Sequence, residues 1–222
     1  QPLINFKMKL IIKKIFRKLY VQETFLENNF VFIHIPKNAG ISVCELIGVK
    51  PHGHIPYRDY EYILKNKQIF YFAFVREPID RFLSSYNFLM NGGRNKKDLK
   101  NKNKFNISKE NFSNFINNID KVDNLPVHFL PQVYFLKNAK GDIKVDNLGL
   151  VEDIEIEMSK LSKIVKFKIR DSLKILNTTS LENKISKNEL DSNMLEKLSD
   201  FYREDIELYR ALKKTWNQKK EF

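Results

Sequence analysis

The sequence predicts an α/β fold in which a central, mostly parallel β-sheet is flanked by helices. Two runs of apolar, β-prone residues, FVFIHI at 30–35 and IFYFAFV at 69–75, are each followed by a helical pattern. A third short run, LGLV at 148–151, precedes another helical pattern. Strands without polar alternation are typical of sheets buried on both faces, and alternating strands and helices are typical of parallel sheets.

The helical patterns follow the strands in chain order. We predict helices from about residue 41 to 47 and from about 79 to 90, helical pieces near 110–118 and 128–137, and a helix from 154 to about 161. The pattern Ser186-x-x-Glu189 predicts a capping box that opens a helical region ending near residue 214. The segment 91–109 is rich in Gly, Asn and Lys and lacks apolar periodicity, so we predict a mobile loop there.

Length and composition limit the class of protein. The chain has 222 residues, 42% of them hydrophobic, with 18 Phe and 9 Tyr, which is enough for one domain core and excludes disorder throughout. A single cysteine excludes an intrachain disulfide framework, and no apolar run is long enough to span a membrane. We predict a basic amphipathic segment at 1–28 and a single domain at 29–222.

The net charge of +12 is confined to two segments. Residues 1–20 and 91–109 carry +6 each, so the rest of the chain is neutral on balance. Concentrated lysines are a candidate docking surface for an anionic partner, although solvated charge is the more common explanation. For the N-terminal segment three interpretations stay open: a helix packed on the body, which we favour, a peripheral membrane contact through residues 7–20, or a poorly ordered leader.

The segment PKNAGIS at 36–42 joins the first predicted strand to a helix. Backbone N–H groups in the first turn of a helix are unpaired, and the helix dipole favours an anion there. Ala39 and Gly40 are small enough to let a phosphate approach the backbone. Lys37 can neutralise the phosphate charge, and Ser42 can donate a hydrogen bond to the phosphate. The nucleotide P-loop pattern is absent, and an ordinary strand–helix turn is the alternative. The candidate phosphate-binding residues are Lys37, Asn38, Ala39, Gly40, Ile41 and Ser42.

A second strand–helix junction, FVREPIDRFLSSY at 74–86, has the same character. Arg76 stands at the end of the strand and offers a guanidinium fork to a phosphate. Arg81 and Ser84 lie within a helical turn of each other, although Arg81 has an alternative role in an ion pair with Glu77 at i, i+4 spacing. Two phosphate sites on adjacent strand ends predict a nucleotide with two phosphate groups, bound at one edge of the sheet.

These motifs resemble those of a known family. FIHIPKNAGISV resembles the 5′-phosphosulfate-binding motif of sulfotransferases that use 3′-phosphoadenosine 5′-phosphosulfate (PAPS), and FVREPIDRFLSSY resembles their 3′-phosphate-binding motif. KPHGHIPY at 50–57 resembles the His-Gly-His segment of heparan sulfate and uronyl 2-O-sulfotransferases. Residues 147–155 and 201–209 are similar to weaker blocks of the family. The chain departs from the family pattern at Asn38 and Ile41, where threonines are common.

The resemblance implies a P-loop-like sulfotransferase fold, PAPS as the donor, adenosine 3′,5′-bisphosphate (PAP) as the product, and no metal. Lys37 is our candidate for stabilising the leaving phosphate. His54 is our first candidate for the base that removes the acceptor proton and His52 the second, because histidine titrates in the useful range. His34, inside the strand, is interpreted as structural, and His128 is a weaker candidate for the acceptor site.

The predicted reaction is sulfuryl transfer to a hydroxyl of a carbohydrate, with an acidic polysaccharide or glycolipid as the acceptor and no nucleic acid as a partner. A kinase-like phosphoryl transferase on the same fold is one alternative, and a nucleic-acid-binding protein is another. The predicted location is cytoplasmic, as for a bacterial-type enzyme, with membrane-peripheral attachment as a variant. The Golgi lumen is the alternative if the chain is a trimmed eukaryotic catalytic domain.

Overall fold

Three parallel strands form the central sheet of the computed structural model, which describes residues 29–51, 53–64, 68–165 and 184–220. The strands are β1 (Phe30–Phe32), β2 (Phe70–Val75) and β3 (Asn147–Leu150), and β2 lies in the middle. Both pairings are parallel, with Phe32 opposite Phe72 and Val75 opposite Leu150. The carboxyl ends of all three strands therefore meet at one edge. The predictions for residues 1–28 and for His52 lie outside the described residues.

The helices connect and cover these strands. Between β1 and β2 lie α1 (Gly40–Leu46) and α2 (Tyr57–Ile63). Between β2 and β3 lie α3 (Pro78–Met90), α4 (Lys96–Lys104), α5 (Phe112–Asn117) and α6 (Gln132–Leu136). After β3 come α7 (Ile154–Val165), α8 (Ser192–Phe201) and α9 (Arg203–Lys220). Among the described residues, none of the helices has the length and apolar character needed to cross a membrane.

The sheet is buried on both faces, as its continuous apolar strands predict. Odd-numbered side chains of β1 and β2, such as Val31 and Ala73, pack with residues of α2, α6 and α9. Even-numbered side chains, such as Phe32 and Phe74, pack with residues of α1 and α7. This two-sided burial confirms the predicted α/β architecture of a parallel sheet flanked by helices.

The prediction of a loop throughout 91–109 is wrong, because this segment contains α4. The Asn95 side chain caps the helix by accepting hydrogen bonds from the backbone N–H groups of Lys97 at 2.9 Å and Asp98 at 3.0 Å. Two lysines in the last turn lie at the end of the dipole that favours cations. Capping and charge placement therefore support a helix that has almost no apolar face.

The capping box predicted at the C-terminal region is present, although it opens a different element. Ser186 and Glu189 make the reciprocal capping contacts around a short 3₁₀ turn, Lys187–Glu189. The α-helix that follows, α8, begins after Asp191, whose side chain accepts a hydrogen bond from the Met194 backbone N–H at 2.8 Å. The helical region ends at residue 220, later than predicted.

Candidate functional site

The two predicted phosphate-binding segments meet at the carboxyl edge of the sheet. The first turn, residues 36–39, connects β1 to α1, and the second turn, residues 76–77, connects β2 to α3. Neighbouring parallel strands bring the two turns side by side. The Arg76 guanidinium donates a hydrogen bond to the Lys37 carbonyl oxygen at 3.3 Å and so bridges them.

The buried side chain of Gln132, at the start of α6, joins the two turns more firmly. Its Oε1 accepts hydrogen bonds from Asn38 Nδ2 at 2.7 Å and from the Arg76 backbone N–H at 3.0 Å. Its Nε2 donates to the Arg76 carbonyl oxygen at 2.9 Å. The second N–H of Asn38 donates to the Phe74 carbonyl oxygen at 2.7 Å. Both donors of the Asn38 amide are thus engaged within the protein, where they brace the first turn.

Gln132 is itself fixed by Asp205 of α9. The backbone N–H groups of Gln132 and Val133 donate to the Asp205 carboxylate at 2.7 Å and 2.9 Å. Burial raises the pKa of Asp205, while the nearby Arg81 charge and these hydrogen bonds oppose the rise. The C-terminal helix therefore positions the residue that joins the two turns.

The hydrogen bonds and the ion pair of the Arg81 side chain are with residues outside the two turns. Its side chain is 0% exposed, and its guanidinium donates to the carbonyl oxygens of His128 at 3.2 Å and Leu130 at 2.7 Å. Its ion pair, at 3.9 Å, is with Asp205 and not with the expected Glu77. Arg81 therefore holds the chain before α6 against α3. Ser84, on the same helix, is partly exposed.

The edge formed by the two turns carries positive charge. Lys37 is largely buried, and burial, followed by the charges of Arg76 and Arg94, lowers its pKa to about 8. Its ammonium group lies 4.2 Å from the centroid of the Phe88 ring. Within the described parts of the chain, no carboxylate forms an ion pair with Lys37 or Arg76. Neighbouring cations that repel one another in a half-buried setting form a site suited to an anion.

Backbone geometry adds to this preference. Lys37 and Ala39 have positive φ angles of 67° and 55°, a conformation that non-glycine residues adopt rarely and that recurs at ligand-binding turns. The Val43 N–H bonds to the Ala39 carbonyl oxygen and begins α1, so the N–H groups of residues 40–42 have no partner within the helix. The Ser42 side chain is buried beside them.

His54, from the segment before α2, lies near this edge in a defined orientation. Its Nδ1 is 3.0 Å from the His34 carbonyl oxygen. A carbonyl oxygen only accepts hydrogen bonds, so Nδ1 carries the proton and the neutral ring has its lone pair on Nε2. Burial lowers the pKa of His54, although the bond to His34 opposes the shift, so the neutral form is favoured at neutral pH.

His34 connects His54 to the first turn. The ring centroids of His34 and His54 are 4.4 Å apart. A Cβ atom built at Gly40 would lie 1.9 Å from Cδ2 of His34, so only glycine leaves room for this ring. The sequence-based explanation of Gly40, close approach of a phosphate, therefore misses its contact with His34.

His128 completes a group of three histidine rings. Its centroid is 5.9 Å from that of His54, and burial, with a further contribution from His54, lowers its pKa to about 4. Its Nδ1 is buried and has no hydrogen-bond partner among the described residues. His128 therefore stays neutral and offers an unpaired ring nitrogen near the proposed base. Sequence reasoning marked His128 only weakly and assigned no role to Gln132, and it touched Asp205 only through the weak family resemblance of residues 201–209.

The contact between Gly40 and His34 leads to a first prediction. Gly40→Ala should lower the free energy of unfolding by about 1 to 3 kcal/mol, because the new methyl group overlaps the His34 ring. Gly53→Ala is the matched control, since a Cβ atom there meets no atom within 4 Å, and should change stability by less than about 0.5 kcal/mol. Urea unfolding measures both. A Gly40→Ala protein as stable as the control would contradict this contact.

Comparison with known proteins identifies the family. The model of the sulfotransferase family matches residues 24–210, a range that includes both turns, the three clustered histidines, Gln132 and Asp205. Neither the curated proteins nor the solved structures gave a match. Because the match spans well over half of the sequence, the chain belongs to the sulfotransferase family.

Proposed function

We propose that the protein transfers a sulfuryl group from PAPS to a hydroxyl group of a carbohydrate, with His54 as the general base. The observation that carries the proposal is the orientation of His54. Its protonated Nδ1 is held by the His34 carbonyl oxygen, and its Nε2 lone pair is free to accept a proton. Membership of the sulfotransferase family favours sulfuryl transfer over the kinase-like alternative.

The residues at the carboxyl edge of the sheet fit a donor with two phosphate positions. We assign the 5′-phosphosulfate to Lys37, the backbone N–H groups of residues 40–42 and Ser42, which makes the first turn P-loop-like in function. We assign the 3′-phosphate to Arg76 with Ser84. At this edge of the sheet, neither Lys37 nor Arg76 has a carboxylate partner among the described residues, which supports both assignments. Arg81 and Asn38 are reassigned to positioning the turns.

The donor supplies an activated sulfuryl group. A bond forms between the acceptor oxygen and sulfur as the bond between sulfur and the phosphate oxygen breaks, and PAP leaves. Nε2 of His54 takes the proton of the acceptor hydroxyl, which makes the oxygen a better nucleophile. Lys37 and the helix N–H groups stabilise the negative charge that develops on the leaving phosphate. No metal is required in this scheme, because positioning and charge neutralisation are supplied by these residues.

A carbohydrate acceptor is proposed from the resemblance of residues 50–57 to the His-Gly-His segment of uronyl 2-O-sulfotransferases. A sugar hydroxyl is a weak nucleophile and needs a base, which His54 supplies. His52, outside the described residues, is the alternative base. An acidic polysaccharide or glycolipid remains the proposed acceptor, in preference to a nucleic acid.

The role of His54 predicts a selective loss of turnover. His54→Ala should lower kcat by about 100-fold to 10,000-fold, the usual contribution of general base catalysis, while leaving the dissociation constant of PAP within about threefold of wild type. The assay measures transfer of radiolabelled sulfate from PAPS to a panel of acidic glycans, and calorimetry measures PAP binding. His52→Ala is made in parallel. Loss of turnover in His52→Ala with full activity in His54→Ala would refute the assignment.

The low pKa of Lys37 predicts that donor-site affinity depends on pH. Since the phosphates of PAP are fully ionised above neutrality, the affinity should weaken by about tenfold from about pH 7 to about pH 9 as Lys37, with a pKa of about 8, loses its charge. Lys37→Arg, which stays charged, should bind PAP without this dependence. Calorimetric titrations of both proteins with PAP, repeated over this pH range, measure the two dependences. A wild-type affinity that is flat with pH would remove Lys37 from the phosphate site.

A further inference from the structure

We propose that the exposed face of α4 is a subsite that binds an extended anionic polysaccharide and presents it to His54. The inference rests on the proposed transfer to an acidic carbohydrate, and it adds a binding surface that favours an extended polysaccharide over a glycolipid. It is carried by the position of α4, by its unbalanced charge and by its length.

The N-terminal end of α4 lies close to the proposed reaction site. Phe88 of α3 connects α4 with the site. Its ring centroid lies 5.1 Å from that of His128 and 4.2 Å from the Lys37 ammonium group. Its carbonyl oxygen accepts a hydrogen bond at 2.9 Å from the N–H of Gly93, in the turn that leads into α4, and α4 packs on α3. An acceptor that lies along α4 can therefore reach the residues that surround His54.

The exposed surface of α4 carries charge of one sign. Its only acid, Asp98, is 5% exposed and points inward, where it accepts a hydrogen bond from the Arg94 backbone N–H at 3.0 Å. Five lysines remain, and within the described residues none of them forms an ion pair with a carboxylate. These are Lys96, Lys97, Lys100, Lys102 and Lys104.

The Asn95 cap and the last-turn lysines support α4, but other parts of its lysine arrangement oppose it. Lys96 and Lys97 lie in the first turn, the end of the dipole that disfavours cations. Lys96, Lys100 and Lys104 follow one another at i, i+4 spacing, at which like-charged pairs destabilise a helix. An anionic ligand along this face relieves both repulsions, and residues that oppose local stability are typical of functional surfaces.

The length of α4 distinguishes a polymer from a small acceptor. Nine residues of α-helix extend over about 14 Å, whereas charges in physiological salt are screened beyond about 8 Å. A single sugar at His54 is therefore attracted mainly by the first lysines, and only a chain that continues along the helix interacts with lysines at both of its ends.

The surface continues beyond the C-terminal half of α4. A cleft of about 570 Å³ is lined there by Lys102, Lys109, Asn91 and Glu110, among others. Lys102 thus belongs both to α4 and to this cleft. Lys109 pairs with Glu189 at 3.3 Å, which balances its charge, so the uncompensated lysines are those of the helix. The cleft extends the path available to a bound chain past the end of α4.

The test compares two triple variants of the full chain. Lys100→Gln/Lys102→Gln/Lys104→Gln removes charge from α4 away from the histidines, and Lys121→Gln/Lys140→Gln/Lys144→Gln removes the same charge from lysines that are exposed elsewhere. Polygalacturonate serves as the polymeric probe and digalacturonate as the short one, with affinities measured by calorimetry at two salt concentrations. We expect the α4 variant to bind the polymer at least tenfold more weakly, with a shallower salt dependence, and the control variant to stay within twofold of wild type.

Several results would overturn the inference. These are failure of the wild type to bind polygalacturonate more tightly than digalacturonate, equal losses in both variants, and preferential binding of duplex DNA that depends on the α4 lysines. PAP affinity is measured in every variant and should not change. A wild type that binds the polymer through α4 but does not bind PAP would contradict the proposed function while leaving α4 as a polyanion site.

Discussion

Between the two turns, the carboxamide of Gln132 makes three hydrogen bonds at once, two to the second turn and one to Asn38 of the first. The side chain is 0% exposed, so no bulk water replaces these partners if one is lost. Leaving one buried polar group unpaired costs about 1 to 3 kcal/mol, so the three hydrogen bonds of Gln132 are expected to form or break together. The positions of Lys37 and Arg76 relative to each other therefore depend on α6 and on the Asp205 carboxylate that anchors it.

Burial gives the site its electrostatic character. It lowers the pKa of Lys37, of His54 and of His128, because a charged group is less stable away from water. For His54 this favours the neutral form, which is the form that accepts a proton. For Lys37, burial destabilises the charged ammonium group in the free protein, and a phosphate bound beside it would offset this destabilisation. The same physical cause thus acts on both the proposed base and the proposed anion site.

Features fixed by neighbouring residues were predictable from the sequence. The buried strands and the two strand–helix turns follow from local apolar runs and from the residues that end them. The helix α4 was missed because it is stabilised by the Asn95 cap and has no apolar stripe. The protein partners of Arg81 could not be predicted, because a guanidinium at the start of a helix satisfies a phosphate or a set of carbonyl oxygens equally well. Only the chain packed around Arg81 decides between them.

Gln132 and Asp205 could not be predicted, since their partners lie far away along the chain. Gln132 bonds to residues 56 and 94 positions earlier, and Asp205 to residues 72 and 73 positions earlier. No local pattern marks such residues. Likewise, Gly40 suggested room for a ligand in the sequence, and only the fold shows that a histidine ring uses that room.

The most direct test of the account is a crystal structure of the protein with PAP bound. We expect one phosphate on Lys37 and the N–H groups of residues 40–42, the other on Arg76, and the Gln132 hydrogen bonds to both turns intact. We also expect Nε2 of His54 to face the position from which sulfur has left. Phosphates bound away from the two turns, or turns that separate from Gln132 when PAP binds, would contradict the account.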